Sequence, residues 1–284
     1  MTPDDVPAAS RVGGDALAGA IPVEFLPSSP EEERIQDERR ERRVAHLLAT
    51  DPDGCWVAES ADGEVVGVAL ALVREGIWGL SLLGVKPGIQ GQGIGRLVLE
   101  GALRTLEGCR GGIILASTDP RALRRYSRAG FELRPCIAAA GTINRSRIPS
   151  GLKSRPGAIA EDRDLLDAVS RHVRGASHGP DLEAFLDAGS QLLVHDGGGW
   201  AMVRDGSPTL LAAREDAIAA DLLWSCFAAG RPGATVHVDF IAAGHDWAVE
   251  VALDMGLSLT TEGPLFVRGE TGTMAPYLPS GAYL

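Results

Sequence analysis

Shifted by 126 residues, the chain lies over itself. Ala122 falls on Ala248, Gly130 on Gly256 and Phe131 on Leu257 without a gap, and the helical segments starting near 94 and 220 superpose. A repeat of this kind constrains the fold more than any single motif, because one supersecondary plan must serve twice. With 284 residues, each copy has the size of an ordinary domain.

The first copy gives the plan. Residues 4–20 and 30–50 read as helices, the second rich in Glu and Arg at spacings that allow i,i+4 pairs. "CWVAES" (55–60), "EVVGVALALV" (64–73) and "IWGLSLLGV" (77–85) read as three antiparallel strands, the first two joined by a turn at 61–63. A glycine loop and a helix to about Leu106 follow, then a buried strand at 111–117. "DPRALRRYSRAG" (119–130) is a short helix, with Asp119 as cap, Pro120 in the first turn and Gly130 past the end. "FELRP" and "CIAAAGTI" close the copy as strands.

"RSRIPSGLKSRPG" (145–157) reads as a linker. Beyond it come a helical stretch (161–188), a hairpin of "QLLVHD" and "GWAMVRD" around "GGG" (197–199), and the strand "TLLAA". The helix "EDAIAADLLWSCFAAG", the strand "TVHVDFIA", the helix "DWAVEVALDMG" and the strand "LFVRG" complete the second copy. The expected class is α/β with two domains, 1–147 and 148–284. Each would be a mixed, mostly antiparallel sheet flanked by helices.

Bulk properties narrow the function. No apolar run reaches the length of a membrane span, and "MTPDDVPAAS" is no signal peptide, so a soluble cytoplasmic protein is expected. Cys55, Cys109, Cys136 and Cys226 form no CxxC pair and the six histidines do not cluster. They read as reduced, structural residues, and no metal is expected. The net charge of −11 argues against nucleic acid. The charge is uneven: residues 1–150 hold 18 basic and 20 acidic side chains, residues 151–284 hold 9 and 18. Arg121, Arg124, Arg125, Arg128 and Arg134 crowd into fourteen residues, which suits either a phosphorylated ligand or a solvated helix face.

The stretch "LLGVKPGIQGQGIGRLVLEGAL" (82–103) carries most of the chemical information. A glycine loop feeding a helix presents successive N–H groups to an anion. The nucleotide-triphosphate loop GxxxxGK[ST] does not fit, because no Lys follows at the required place. The dinucleotide motif GxGxxG fails in both frames, meeting Arg96 from Gly91 and Val98 from Gly93.

"VKPGIQGQGIG" resembles the signature of the GNAT superfamily of acyl-CoA-dependent N-acetyltransferases: Gln90, Gly93 and Gly95 fill it, with Val85 and Pro87 ahead. Downstream, Ala122, Tyr126, Gly130 and Phe131 match the family's second segment, and Asp119 stands where Asn is common. The resemblance covers 55–135 most clearly. It implies acetyl-CoA as cosubstrate, with Leu83, Gly84 and Val85 pairing with the pantetheine arm. Gln90, Gly91, Gln92, Gly93, Ile94, Gly95 and Arg96 would hold the pyrophosphate, Asp119 would contact the cofactor, and Arg125 or Arg128 could meet its phosphates. Tyr126 would give a proton to the leaving thiolate.

The strand before the loop offers only Ser81 where relatives place a basic Glu. Glu75 and Glu24 are the nearby carboxylates, and the base stays unassigned. Under the shift of 126, Gln90 falls on Asp216, Gly93 on Ala219, Gly95 on Asp221 and Tyr126 on Ala252, so the second copy is expected to have lost the site. The acidic second half suggests a cationic amine acceptor, and Trp200, Trp224 and Trp247 read as core. The expected reaction is direct acetyl transfer to a primary amine by a monomer or homodimer. A non-catalytic acyl-CoA-binding module and transfer of a larger acyl group are the alternatives.

Overall fold

The computed structural model describes residues 1–20, 27 and 29–284. The apolar, β-branched run at 65–74 is buried along nearly its whole length, which marks a strand covered on both faces. In chain order the elements are α1 (Val6–Leu17), α2 (Pro30–Thr50), β1 (Cys55–Glu59), β2 (Val65–Arg74), β3 (Ile77–Val85), α3 (Ile94–Ala102), β4 (Gly111–Leu115), α4 (Pro120–Arg128), β5 (Glu132–Arg134) and β6 (Cys136–Thr142). The second half adds β7 (Arg155–Pro156), α5 (Ile159–Val173), α6 (Asp181–Asp187), β8 (Gln191–His195), β9 (Gly199–Arg204) and β10 (Ser207–Ala213). It ends with α7 (Asp216–Ala229), β11 (Thr235–Ala242), α8 (Asp246–Met255), β12 (Ser258–Thr261), β13 (Leu265–Gly269) and β14 (Tyr277–Leu278).

Local chemistry explains the helix ends. Ser29 accepts a hydrogen bond from the Glu32 N–H at the start of α2, and Glu31, Glu32 and Glu33 fill the first turn. Asp119 caps α4 by accepting from the Arg121 N–H. Helices α4 and α8 start 126 residues apart, at Pro120 and Asp246. The glycines after them, Gly130 and Gly256, both take left-handed backbone at φ 85° and 90°. The repeat read from the sequence is therefore a repeat of elements. The stretch 161–188 divides into α5 and α6, because Gly175 (φ 93°), Gly179 (φ 56°) and Pro180 interrupt it. The helix after the glycine loop is regular to Ala102 and tightens into a 3-10 turn to Leu106.

The sheets do not follow the order of the chain. One sheet runs β1-β2-β3-β4-β13-β5 and another runs β11-β6-β12, with β14-β10-β9-β8-β7 as the third. By the 126-residue shift β4 matches β11 and β5 matches β12, so β6 and β13 are the equivalent strands that have traded places. Strand β13 lies antiparallel between β4 and β5, while β6 lies antiparallel between β11 and β12. The expected boundary at 147/148 lies between the two exchanged strands, and each completes the sheet of the other half. Phe266 of β13 is fully buried in the core around α3 and α4, and Ala139 of β6 is fully buried in the core around α7 and α8. A third core cluster contains α1, α2, β2, α5 and β8–β10 residues together.

A buried ion cluster adds a polar tie between the halves. Arg74, at the end of β2, donates to Asp181 of α6 at 2.6 and 2.8 Å and to Asp51 at 2.8 and 3.0 Å. Asp181 is fully buried and His46 Nε2 lies 2.8 Å from it. Burial works against the Arg74 charge, but the bonds to Asp181 and Asp51 outweigh it and raise its pKa.

Two outcomes follow. Shared strands make the two halves one cooperative unit, so calorimetry should show a single unfolding transition. Phe266→Ala should lower that whole transition, at a cost of about 3–5 kcal/mol. Two separate transitions, with one unmoved by the substitution, would contradict the exchange. Arg74→Met, which leaves Asp181 and Asp51 without their guanidinium, should cost about 3–5 kcal/mol in denaturant unfolding.

Candidate active site

Strands β3 and β4 run parallel and pair only over Ile77–Leu80 and Gly111–Ile114. Beyond Leu80 they part. Ser81 is an extra residue there, since Leu80 lies opposite Ala71 and Leu82 opposite Leu70. The gap opens into a cavity of about 810 Å³, walled by Ser81–Val85 on one side and Leu115–Asp119 on the other. Leu83, Gly84 and Val85 thus lie on the free edge of β3. Gly84 is closely packed: a Cβ there would lie 3.1 Å from Ala16 and 3.3 Å from the backbone of Gly13 in α1.

At the mouth of the cavity lies the glycine loop. Gly88, Gly91 and Gly93 hold left-handed backbone (φ 87°, 88° and 93°), which L side chains rarely adopt. Gly93 is the N-cap of α3. The N–H groups of residues 91–95 meet no acceptor among the described residues, so the loop presents a fan of free donors at a helix N-terminus. Gly91 and Gly93 have open space where a Cβ would stand, which admits a phosphate close to the backbone.

Side chains tune this loop. Gln90 donates to the Val85 carbonyl at 3.2 Å and accepts from Arg121 at 2.9 Å, which fixes the loop to the end of β3. Arg121 and Arg125 line the cavity; a Cβ on Gly95 would lie 2.9 Å from the Arg125 guanidinium. Arg128 is exposed and lies outside the cavity wall. Gln92, Ile94 and Arg96 are also outside the wall. Ile94 packs over Gly67, and the Arg96 N–H is already bonded to the Gly93 carbonyl at 2.9 Å. Asp119 reaches the cavity, but its carboxylate is engaged with the Arg121 N–H and guanidinium, which hold its pKa down.

Tyr126 sits on the inner wall, 5% exposed, its ring edge-to-face with Phe266 of β13 at 5.5 Å. The exchanged strand therefore braces it. Burial raises its pKa, so the hydroxyl keeps its proton.

The structure separates the carboxylates. Glu75 lies at the far end of β3 from the loop. It pairs with Arg171 at 2.7 Å and accepts from the Ser177 N–H at 3.0 Å, and the Arg171 bond holds its carboxyl down to about 2. It braces the two halves and takes no part in the cavity. Glu24 lies outside the described residues. Ser81 is engaged with Arg43 at 3.0 Å and the Ala282 carbonyl at 2.6 Å.

A carboxylate not foreseen from the sequence, Glu262, lines the cavity between β12 and β13. Burial and the nearby Asp239 raise its pKa. Under the shift of 126 its place belongs to Cys136, so the repeat gives no hint of it. The wall is completed by Phe240 and Gly281 from the second half and Arg43 from α2.

The matching place in the second half is closed. The eight-residue loop between β3 and α3 shrinks to two residues between β10 and α7, and α7 begins four residues earlier relative to α3 under the shift. Asp221, where Gly95 would fall, accepts from the Lys153 N–H at 3.1 Å. Strand β14 pairs with Leu211 and Ala212, and the Pro276 carbonyl accepts from the Ala213 N–H at 3.2 Å, so the chain's own backbone covers that strand edge. Trp200, Trp224 and Trp247 are buried in the core. No helix among the described residues is long and apolar enough to cross a membrane.

Comparison with known proteins agrees with this geometry. Mycothiol acetyltransferase of Streptomyces avermitilis is 33% identical over 136 residues, which is 45% of this chain and 44% of that protein, so the match spans under half of the relative's length. A proposed acetyltransferase from Pyrococcus horikoshii has the same overall fold, with a TM-score of 0.77 at 20% identity over 100% of this chain and 94% of its own. A GCN5-related N-acetyltransferase from Sphaerobacter thermophilus matches with a TM-score of 0.56 at 17% identity, over 95% of this chain and 94% of its own. The model of the acetyltransferase (GNAT) family matches residues 21–131, which hold the parted strands, the donor loop and Tyr126. On that match and that geometry, residues 21–131 are similar to the GNAT acetyltransferase family.

Proposed function

We propose that the protein transfers an acetyl group from acetyl-CoA to a primary amine by direct attack in a ternary complex. The observation that carries this reading is the conjunction, around one cavity, of a free-donor glycine loop with a buried, protonated tyrosine. Loop residues 91–95, backed by Arg121 and Arg125, would take the pyrophosphate. The open edge of β3 at Leu83–Val85 would pair with the pantetheine amides, as an added strand would.

The chain's own groups supply the proton transfers. The attacking amine must be neutral, and Glu262 is the candidate base that removes its proton. A carboxylate with a raised pKa is a stronger base than an ordinary one. As the amine nitrogen bonds to the thioester carbonyl carbon and the C–S bond breaks, Tyr126 gives its proton to the departing sulfur, and the proton that the nitrogen loses on becoming an amide restores the phenol. A phenol suits this because its ordinary pKa is close to that of a thiol.

Tyr126→Phe should lower kcat by about 10²-fold or more with little change in KM for acetyl-CoA, measured as release of free thiol. Glu262→Gln should lower kcat to a similar degree and remove the acid limb of the pH profile. The wild-type rate falls with pH below the raised Glu262 pKa, and the variant has no such group to protonate. Micromolar binding of acetyl-CoA without turnover on any of a panel of amines would overturn the enzyme reading in favour of a binding module.

A further inference from the structure

A second chamber of about 320 Å³ adjoins the thioester cavity, and Arg43, Phe240 and Gly281 wall both. The new chamber is cationic. Arg39 and Arg43 reach it from α2 and Arg204 from β9. None of these three guanidiniums has a carboxylate within ion-pair distance among the described residues. Arg43 spends Nε and Nη2 on Ser81 and on the Gly281 carbonyl, and its Nη1 donates to nothing among the described residues. Arg40, in the same wall, is already paired with Asp37 at 2.7 Å.

Three half-buried like charges around a cavity are costly without a counter-ion. Burial and the neighbouring Arg39 charge both lower the Arg204 pKa, and burial brings Arg43 down to about 10. The chain as a whole carries −11, so this concentration of positive charge is local. The acidic side chain of the chamber is Asp239, 3.5 Å from His237, and its charge also bears on Glu262 across the Phe240 wall. Glu262 lines the first cavity, Asp239 lines the second chamber together with Arg39 and Arg204, and Arg43 borders both.

We propose that the acceptor is an amine bearing an anionic group, carboxylate or phosphate. Its ammonium end meets Glu262 and Asp239, and its anion is held by Arg39, Arg43 and Arg204. Guanidinium forks match both anions. The identity of the acceptor rests on the amine-acetylation reading; the anion subsite does not. The acidity of the second half thus serves the amine end of the acceptor, and its other end is negative.

Two arms test this on the full chain. In the first, inorganic phosphate and 4-aminobutyrate are titrated calorimetrically into wild type, Arg39→Gln/Arg204→Gln and Arg39→Lys/Arg204→Lys. Wild type should bind at least about tenfold more tightly than the Gln variant, with the Lys variant between them. Binding at the glycine loop is common to all three, so the difference reports the chamber. Equal binding by wild type and the Gln variant would overturn the proposal. In the second arm, O-phosphoethanolamine is compared with ethanolamine and 4-aminobutyrate with butylamine as acceptors. The anionic member of at least one pair should have a kcat/KM at least about tenfold higher, and which pair does so tells phosphate from carboxylate. Equal rates, or preference for the neutral members, would overturn the acceptor assignment. Absence of turnover with all four would count against acetylation, while the binding arm still decides the subsite.

Discussion

Each of two sheets in this protein is completed by a strand from the opposite half. That exchange is the constraint on which the rest depends. Strand β5 has β13 as its neighbour, and β12 has β6. The cleft between β3 and β4 is formed in the first half, but the element beyond β4 comes from the second. Tyr126 leans on Phe266, and Glu262 arrives on the connection that leads into β13. The second copy has no open cleft of its own, yet it supplies one wall of the cleft that is open.

The contrast between the copies shows how little separates a site from a scaffold. The frames of strands and helices correspond, down to the left-handed glycines after α4 and α8. What differs is six residues of loop, an added turn at the start of α7, and β14 laid along the edge of β10. In the first copy the free donors of the loop have no carboxylate among them. In the second, Asp216 and Asp221 occupy the aligned positions, where their charge would repel a phosphate.

Features set by local chemistry were legible in the sequence. Asp119 before Pro120 announces a helix, Gly130 and Gly256 announce its end, and the spacing of Gln90, Gly93 and Gly95 announces a donor loop. The repeat was visible because helix α4 and its successor keep their register over 126 residues. Strand exchange was not visible. "CIAAAGT" and "LFVRG" each read as a strand, and nothing within a strand states which of two equivalent slots it fills. The site carboxylate was hidden for the same reason. Glu262 enters the cleft by topology, and Glu75, closer in sequence, is drawn away by Arg171 and Ser177. The guanidiniums of the second chamber lie on α2 and β9, 165 positions apart between Arg39 and Arg204, and only the packed fold brings them together.

The late position of β13 also orders events during synthesis. A chain emerging from the ribosome could form β1–β4, α3 and α4 long before residue 269 is made, but β4 would present an open edge and Phe131 and Tyr126 would lack the Phe266 ring beside them. Over that interval β6, made first, is the strand at hand for the vacant slot. Its run of alanines fills space poorly where Leu265, Phe266 and Val267 belong, so a premature pairing there would be weak and reversible.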